Sequence, residues 1–299
     1  MTAVKLAVVT TDKQALADLR AQIDRVDGAL HDLLRDRAEI IDQVRKLKGK
    51  QTLYIRPGRE AQMLRVLTGR PQGKLPEGLV VRLWREMISA FTLQEGGLKA
   101  AVVVQDKGPD LWDVARDHFG AFTPLLEVNS AVAAIKAVQA NKATVAVVPP
   151  PTPEEKDAWW PMLAEDKKNV LTVFASMPFE ILKPGRSNAR RALPMGLVIG
   201  KLYPELTGDD RSYLTMQCVH VPEAEMRRLL SKAGYKVRQL IMQTVGRGGS
   251  APTAFLIEVD GYVGRADTRL SRIRAMLGSR LQHLAPLGGY ATPLKNGRR

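Results

Sequence analysis

Arg20, Arg37 and Lys48 fall on one stretch with a helical pattern, and together they could grip a small anion. A guanidinium fork matches a carboxylate through two parallel hydrogen bonds, and a lysine ammonium is a compact point donor. Arg37 and Lys48 are eleven residues apart, a step that on a helix covers ~16 Å and returns to nearly the same face. Arg20 lies seventeen residues before Arg37, ~25 Å away along the same axis. One small ligand therefore cannot touch Arg20 and Arg37 of a single straight helix. It could touch Arg37 and Lys48 of one chain and Arg20 of an antiparallel partner. A solvated basic face is the other reading of these three residues.

The elements that must hold them are helical. From about Gln14 to about Gly49, Leu16, Leu19, Ile23, Val26, Leu30, Leu33, Leu34, Ile40, Ile41, Val44 and Leu47 recur at three- and four-residue steps, which predicts an amphipathic helix. Pro57 suits the first turn of a second helix reaching about Arg70, and Glu60 suits the positive end of that helix. Pro71 to Gly78 reads as a connection. Leu79, Leu83, Met87, Ile88, Phe91 and Leu93 predict a third helix from Leu79 to Glu95.

A long, a short and a medium helix in this order closely resemble the all-helical class of chorismate mutase, over residues 14–97. The resemblance rests on L-R-x-x-I-D-x-x-D at Leu19 to Asp27, D-R-A at Asp36 to Ala38, the Lys48 position, R-P-x-R-E-A at Arg56 to Ala61, and Arg85-Glu86-Met87-Ile88-Ser89-Ala90. It implies a three-helix domain in an intertwined homodimer with shared active sites and chorismate as substrate. It also implies roles. Arg37, and Arg20 of the other subunit, clamp the two carboxylates. Lys48 donates to the ether oxygen. Glu60 accepts from the ring hydroxyl with Arg59 close by, and Glu95 stands beside the ether oxygen. Arg56 sits where some relatives place Asp, and Phe91 where others have a small polar residue. The implied reaction is a unimolecular rearrangement of a dianion to prephenate, needing no nucleophile, metal or cofactor. Positioning and stabilisation of the developing negative charge are what the site must supply. Glu95 helps only when protonated, since a carboxylate would repel the ether oxygen, and burial could raise its pKa.

The 299 residues are 45% hydrophobic and 25% charged, a globular balance long enough for two or three domains. A single cysteine, Cys218, excludes an internal disulfide and fits a reducing cytoplasm. The apolar run Leu6 to Val9 is too brief for a signal peptide or a membrane span. His31, His118, His220 and His283 have no ligand spacing, so no metal site is expected. Net charge is +14, with +6 in residues 1–100, balance in 101–195 and +8 in 196–299. No aromatic–basic interleaving accompanies the excess, which reads as a solvated surface plus the tail Lys295 to Arg299 rather than a nucleic-acid face.

After residue 97 the pattern becomes β/α: strand Leu98 to Val104, helix Leu111 to His118, helix Asn129 to Ala140, strand Thr144 to Val148, then an extended loop at Pro149 to Pro153. From Arg211 it reads strand (to His220), helix (Pro222 to Ala233), strand (Lys236 to Val245), a glycine-rich hairpin turn, strand (Thr253 to Val259), helix (Arg265 to Leu277) and strand (Gln282 to Leu287). That is a βαββαβ, ferredoxin-like α+β unit. The order resembles bifunctional mutase–prephenate dehydratases with an ACT-type regulatory domain, which implies boundaries of 14–97, 98–200 and 205–291. The dehydratase signatures have eroded. Val145 to Pro149 keeps a G-V-V-P-like phrase, but Pro150-Pro151-Thr152-Pro153 replaces V-E-N-S. Pro194-Met195-Gly196 replaces T-R-F, whose Thr is catalytic and whose Arg contacts substrate in the family. The ACT phrases G-A-L and E-S-R-P are also absent, with Glu223-Ala224-Glu225-Met226 and Leu240-Ile241-Met242-Gln243 in their places. The expectation is a cytoplasmic chorismate mutase with an inactive dehydratase-like region and an ACT-like end. A working mutase–dehydratase using other residues, or a non-enzymatic ligand sensor or partner-binding protein, are the alternatives.

Overall fold

The computed structural model describes residues 2–49, 54–76, 78–104, 110–155, 158–165, 171–181, 195–244 and 252–295. The chain forms two compact units, Met1–Gln51 and Thr52–Arg299. The first is one uninterrupted helix, α1 (Thr2–Lys48). The helix predicted to start near Gln14 thus starts twelve residues earlier. No proline or glycine precedes Gly28, so nothing in Thr2 to Lys13 stops a helix from propagating towards the N-terminus. It ends at Gly49, whose φ of +67° is the left-handed stop that favours glycine.

The second unit opens with two helices, α2 (Pro57–Thr68) and α3 (Leu79–Gly96), whose ends fall at Pro57, Gly78 and Gly97. An α/β region follows: β1 (Ala100–Val103), α4 (Leu111–Phe119), β2 (Leu125–Val128), α5 (Ala131–Gln139), β3 (Val145–Val148), α6 (Trp160–Glu165), β4 (Thr172–Met177), β5 (Glu180–Ile181) and β6 (Gly196–Gly200). The chain closes with β7 (Asp210–Cys218), α7 (Glu223–Ala233), β8 (Val237–Thr244), β9 (Thr253–Asp260), α8 (Thr268–Leu277), β10 (Leu281–Ala291) and β11 (Leu294–Lys295). Two predicted helix starts move inward for one reason. Ser130 and Asp267 cap α5 and α8 through their side chains, accepting from the amides of Ala133 and Arg269. Strand β2 was not predicted, and only one of its residues, Glu127, is exposed, so it offers no clean alternation to read.

Nine strands form one sheet in the order β2-β1-β3-β6-β4-β10-β7-β9-β8. Strands β1 and β3 are buried along their whole length, as the apolar runs Ala100–Val103 and Val145–Val148 require of a parallel pair covered on both faces. The last four strands are all antiparallel neighbours. Their order is the ferredoxin-like one, and α7 and α8 cover one face over a core that includes Leu214, Phe255, Ile257, Leu230 and Ile273. The two portions of sheet join at a single parallel pairing, Gly288 of β10 with Val173 of β4. Gly288 has a φ of +105°, and a Cβ there would lie 2.1 Å from the Val173 carbonyl oxygen. Only glycine allows that approach.

Candidate active site

The residues singled out in the sequence divide between the two units. On α1, Arg20 is exposed and Arg37 half-buried. Lys48 ends the helix, and its side chain lies outside the described residues. Because α1 is unbroken between Arg20 and Arg37, the ~25 Å separation is real, and one chain cannot close both arginines on a small ligand. One stripe of apolar residues on α1 runs Leu16, Leu19, Ile23, Val26, Leu30, Leu33, Ile40, Val44 and Leu47, between 37% and 88% exposed, with Leu34 and Ile41 beside it. The steps alternate three and four, the coiled-coil repeat, and the one place the stripe skips is Arg37. Arg37 therefore stands inside the apolar seam rather than beside it. Near the helix end, Lys46 and then Arg45 hold the Asp42 carboxyl below its usual range.

In the second unit, Arg59 is exposed on α2, while Glu60, one residue on, turns inward. Its Oε2 lies 2.7 Å from Nη1 of Arg85 on α3, and its Oε1 accepts from the Arg56 amide at 3.3 Å. Arg85 is buried, and desolvation lowers its pKa against the pull of Glu60 in the other direction. Its guanidinium sits 5.3 Å from the centre of the Phe179 ring. His118, in the last turn of α4, is also buried. Desolvation first, and then the Arg85 charge, push its pKa well below the usual imidazole value, so it is neutral at pH 7. Glu60, Arg85, Ser89, Thr92, His118 and Ser176 line a cavity of about 30 Å³. In the single chain that space suits one or two waters.

The α2–α3 hairpin is tied to the rest of its unit by side chains with no signal in the sequence. Ala61, Leu64, Val81 and Phe179 form a small core of their own. Arg56 donates through Nε to Glu205 at 2.8 Å, so the residue aligned with a family Asp is engaged in a structural ion pair. Arg65 donates to Thr207 Oγ1 at 2.8 Å and to the carbonyls of Asp209 and Thr292 at 2.7 and 3.1 Å. Gly58 permits this closeness, since a Cβ there would lie 2.6 Å from that of Glu205. Glu95 and Phe91 are half-buried on α3. Arg85, His118 and Glu205 were missed as partners because each lies far along the chain from the residue it meets. Of the eroded dehydratase phrase, Met195 donates its amide to the Met177 carbonyl at 2.7 Å, while Pro194 and the turn Gly246 to Gly249 lie outside the described residues. Among the described residues no group of three His, Cys, Asp or Glu could hold a metal, and no helix is long and apolar enough to cross a membrane.

Residues 19–96 match the family model for type II chorismate mutase, so this stretch carries the sequence of a chorismate mutase domain. The bifunctional chorismate mutase/prephenate dehydratase of Pseudomonas aeruginosa is 30% identical over 145 residues, covering 46% of this chain and 40% of that protein. The bifunctional enzyme of Neisseria gonorrhoeae is 30% identical over 139 residues, covering 46% of this chain and 38% of its own. The chain thus spans about two fifths of the length of the curated relatives it matches. Among solved structures, prephenate dehydratase from Streptococcus mutans superposes with a TM-score of 0.45 at 16% identity, over 66% of this chain and 99% of that one.

Proposed function

We propose that this chain is a chorismate mutase acting as a homodimer with shared sites, and that its dehydratase-like region is inactive. The observation that carries the reading is the mutase-family match over residues 19–96, with Arg20, Arg37, Lys48, Arg59, Glu60 and Glu95 all standing inside it. In this reading Arg37 of one chain and Arg20 of its partner hold the two carboxylates of chorismate in the compact, reactive conformer. Lys48 stabilises negative charge as the ether bond breaks, Glu60 accepts from the ring hydroxyl, and a protonated Glu95 donates beside Lys48. The exposed apolar seam of α1 supports the dimer: an antiparallel second copy would cover the seam and deliver its Arg20 towards the first chain's Arg37. Pro194 and Met195 support the loss of dehydratase chemistry, since proline brings no hydroxyl and methionine cannot grip a carboxylate. The βαββαβ unit is assigned as ACT-like on its strand order.

Purified protein incubated with chorismate tests the whole reading, with chorismate loss, prephenate and phenylpyruvate followed separately. Chorismate should disappear and prephenate accumulate. Phenylpyruvate above the enzyme-free background at neutral pH would show a working dehydratase, and untouched chorismate would end the mutase reading. The shared site has its own test. Arg20→Ala and Arg37→Ala should each be nearly inactive, yet co-refolding them should restore about a quarter of wild-type activity, because about half the dimers are mixed and each holds one intact site. A mixture as inactive as its parents, with subunit exchange confirmed, would place each site within one chain.

A further inference from the structure

Glu60 and Arg85 are 25 residues apart, and nothing in their spacing pairs them. In the folded unit both side chains are withdrawn from solvent, 13% and 8% exposed, and they meet at 2.7 Å. A buried ion pair of this kind is a weak source of stability, because the desolvation of two charges offsets most of their attraction. Its value lies in geometry. Arg85 also lies against the Phe179 ring, its guanidinium 5.3 Å from the ring centre. The carboxylate of Glu60 is consequently held from two directions, by a guanidinium on one oxygen and the Arg56 amide on the other. Arg59, its neighbour, is exposed.

We infer that Arg85 is a positioning residue for the mutase reaction: it aims the Glu60 carboxylate at the ring hydroxyl of the substrate. This rests on the mutase reading above. Each remaining lone pair of a carboxylate so held points in a defined direction, and a hydroxyl reaching it pays little further ordering entropy. Arg85 itself touches no substrate. Its effect passes through Glu60, and so should vanish when Glu60 is already lost.

The test is steady-state chorismate mutase kinetics on the full chain for wild type, Arg85→Gln, Arg85→Lys, Glu60→Gln and the double variant Glu60→Gln/Arg85→Gln, each with its melting temperature. Arg85→Gln should raise KM for chorismate about ten-fold while kcat falls no more than about three-fold, the pattern of lost binding rather than lost chemistry. Arg85→Lys keeps the charge without the fork and should recover part of that loss, to about three-fold above wild type. The double variant should stay within about two-fold of Glu60→Gln, since coupled residues are not additive. Wild-type KM in folded Arg85→Gln, or multiplicative losses in the double variant, would overturn the role. Should Arg85→Gln not fold, Arg85→Lys decides alone: a raised KM at near-normal kcat supports the role, and a wild-type KM overturns it. A wild-type chain that leaves chorismate unchanged removes the mutase reading together with this role, whereas an active wild type with an indifferent Arg85 removes the role alone.

Discussion

The two units of this chain treat apolar residues in opposite ways. In residues 52–299 most of the large apolar side chains lie in the helix–sheet layers, Val66, Leu75, Leu83 and Leu206 being exposed exceptions; Val102, Val147, Ile199 and Ile257 have no exposure at all. In α1, Leu33 is 64% exposed and Leu47 88%, although this is the longest helix of the described residues. The contrast separates two uses of the same side chains. The first unit displays its apolar stripe; the second encloses most of its own. The charged residues follow the same division. Arg37 stands half-buried within the seam, while Arg85 is buried against Glu60 and Phe179.

The sharpest way to break the comparison is at a glycine of the second unit. Gly288→Val should destabilise the second unit by more than ~4 kcal/mol or prevent its folding, because the new side chain must displace the Val173 backbone from a left-handed position. Denaturant unfolding of the full chain reads this directly, and a stable Gly288→Val protein would show that the β4–β10 joint is dispensable. Next in size is Lys48→Ala. In the proposed site this removes the donor to the ether oxygen, which should cost about 10²-fold or more in mutase rate. Wild-type turnover in the variant would remove the assigned role.

A smaller effect concerns pH. The His118 pKa is depressed in the folded state, by burial and then by Arg85, so the unfolded chain binds the additional proton as pH falls. Stability is therefore complete above the ordinary imidazole value near 6.5 and declines as pH drops below it towards the folded value, with a slope of up to ~1.4 kcal/mol per pH unit from this group. His118→Phe should flatten the dependence of melting temperature on pH between 7 and 5, and an unchanged curve would mean that His118 is not the group titrating. Smallest is Gly28→Ala. Gly28 lies inside α1 with open space where its Cβ would be, so alanine should raise helix stability by ~1 kcal/mol, seen as greater helicity by circular dichroism.

What the sequence made legible follows the range of the forces involved. Helix ends set by Pro57, Gly78 and Gly97 and the alternation of the last four strands are local signals, and each element appears close to its predicted place. The separation of Arg20 from Arg37 was legible for the same reason, since helix geometry fixes it. The joint between β4 and β10, the ion pair of Glu60 with Arg85, and the diversion of Arg56 to Glu205 were not. Each depends on side chains or backbone brought together over 25 or more residues, where no periodicity carries the information. The early start of α1 was missed for a different reason: an apolar run without a cap gives no starting signal, although nothing opposes the helix there.

The single pairing of Gly288 with Val173 also orders events during synthesis. Strand β4 is paired on one side by β6, which the ribosome delivers soon after it, but its other side waits for a residue made over a hundred positions later. Throughout that interval a growing chain carries an open strand edge, the kind of backbone surface that recruits stray strands and chaperones. Pausing or truncating translation anywhere between β7 and β10 would prolong that exposure. The last strand of the sheet thus closes an edge of β4 that must wait for it.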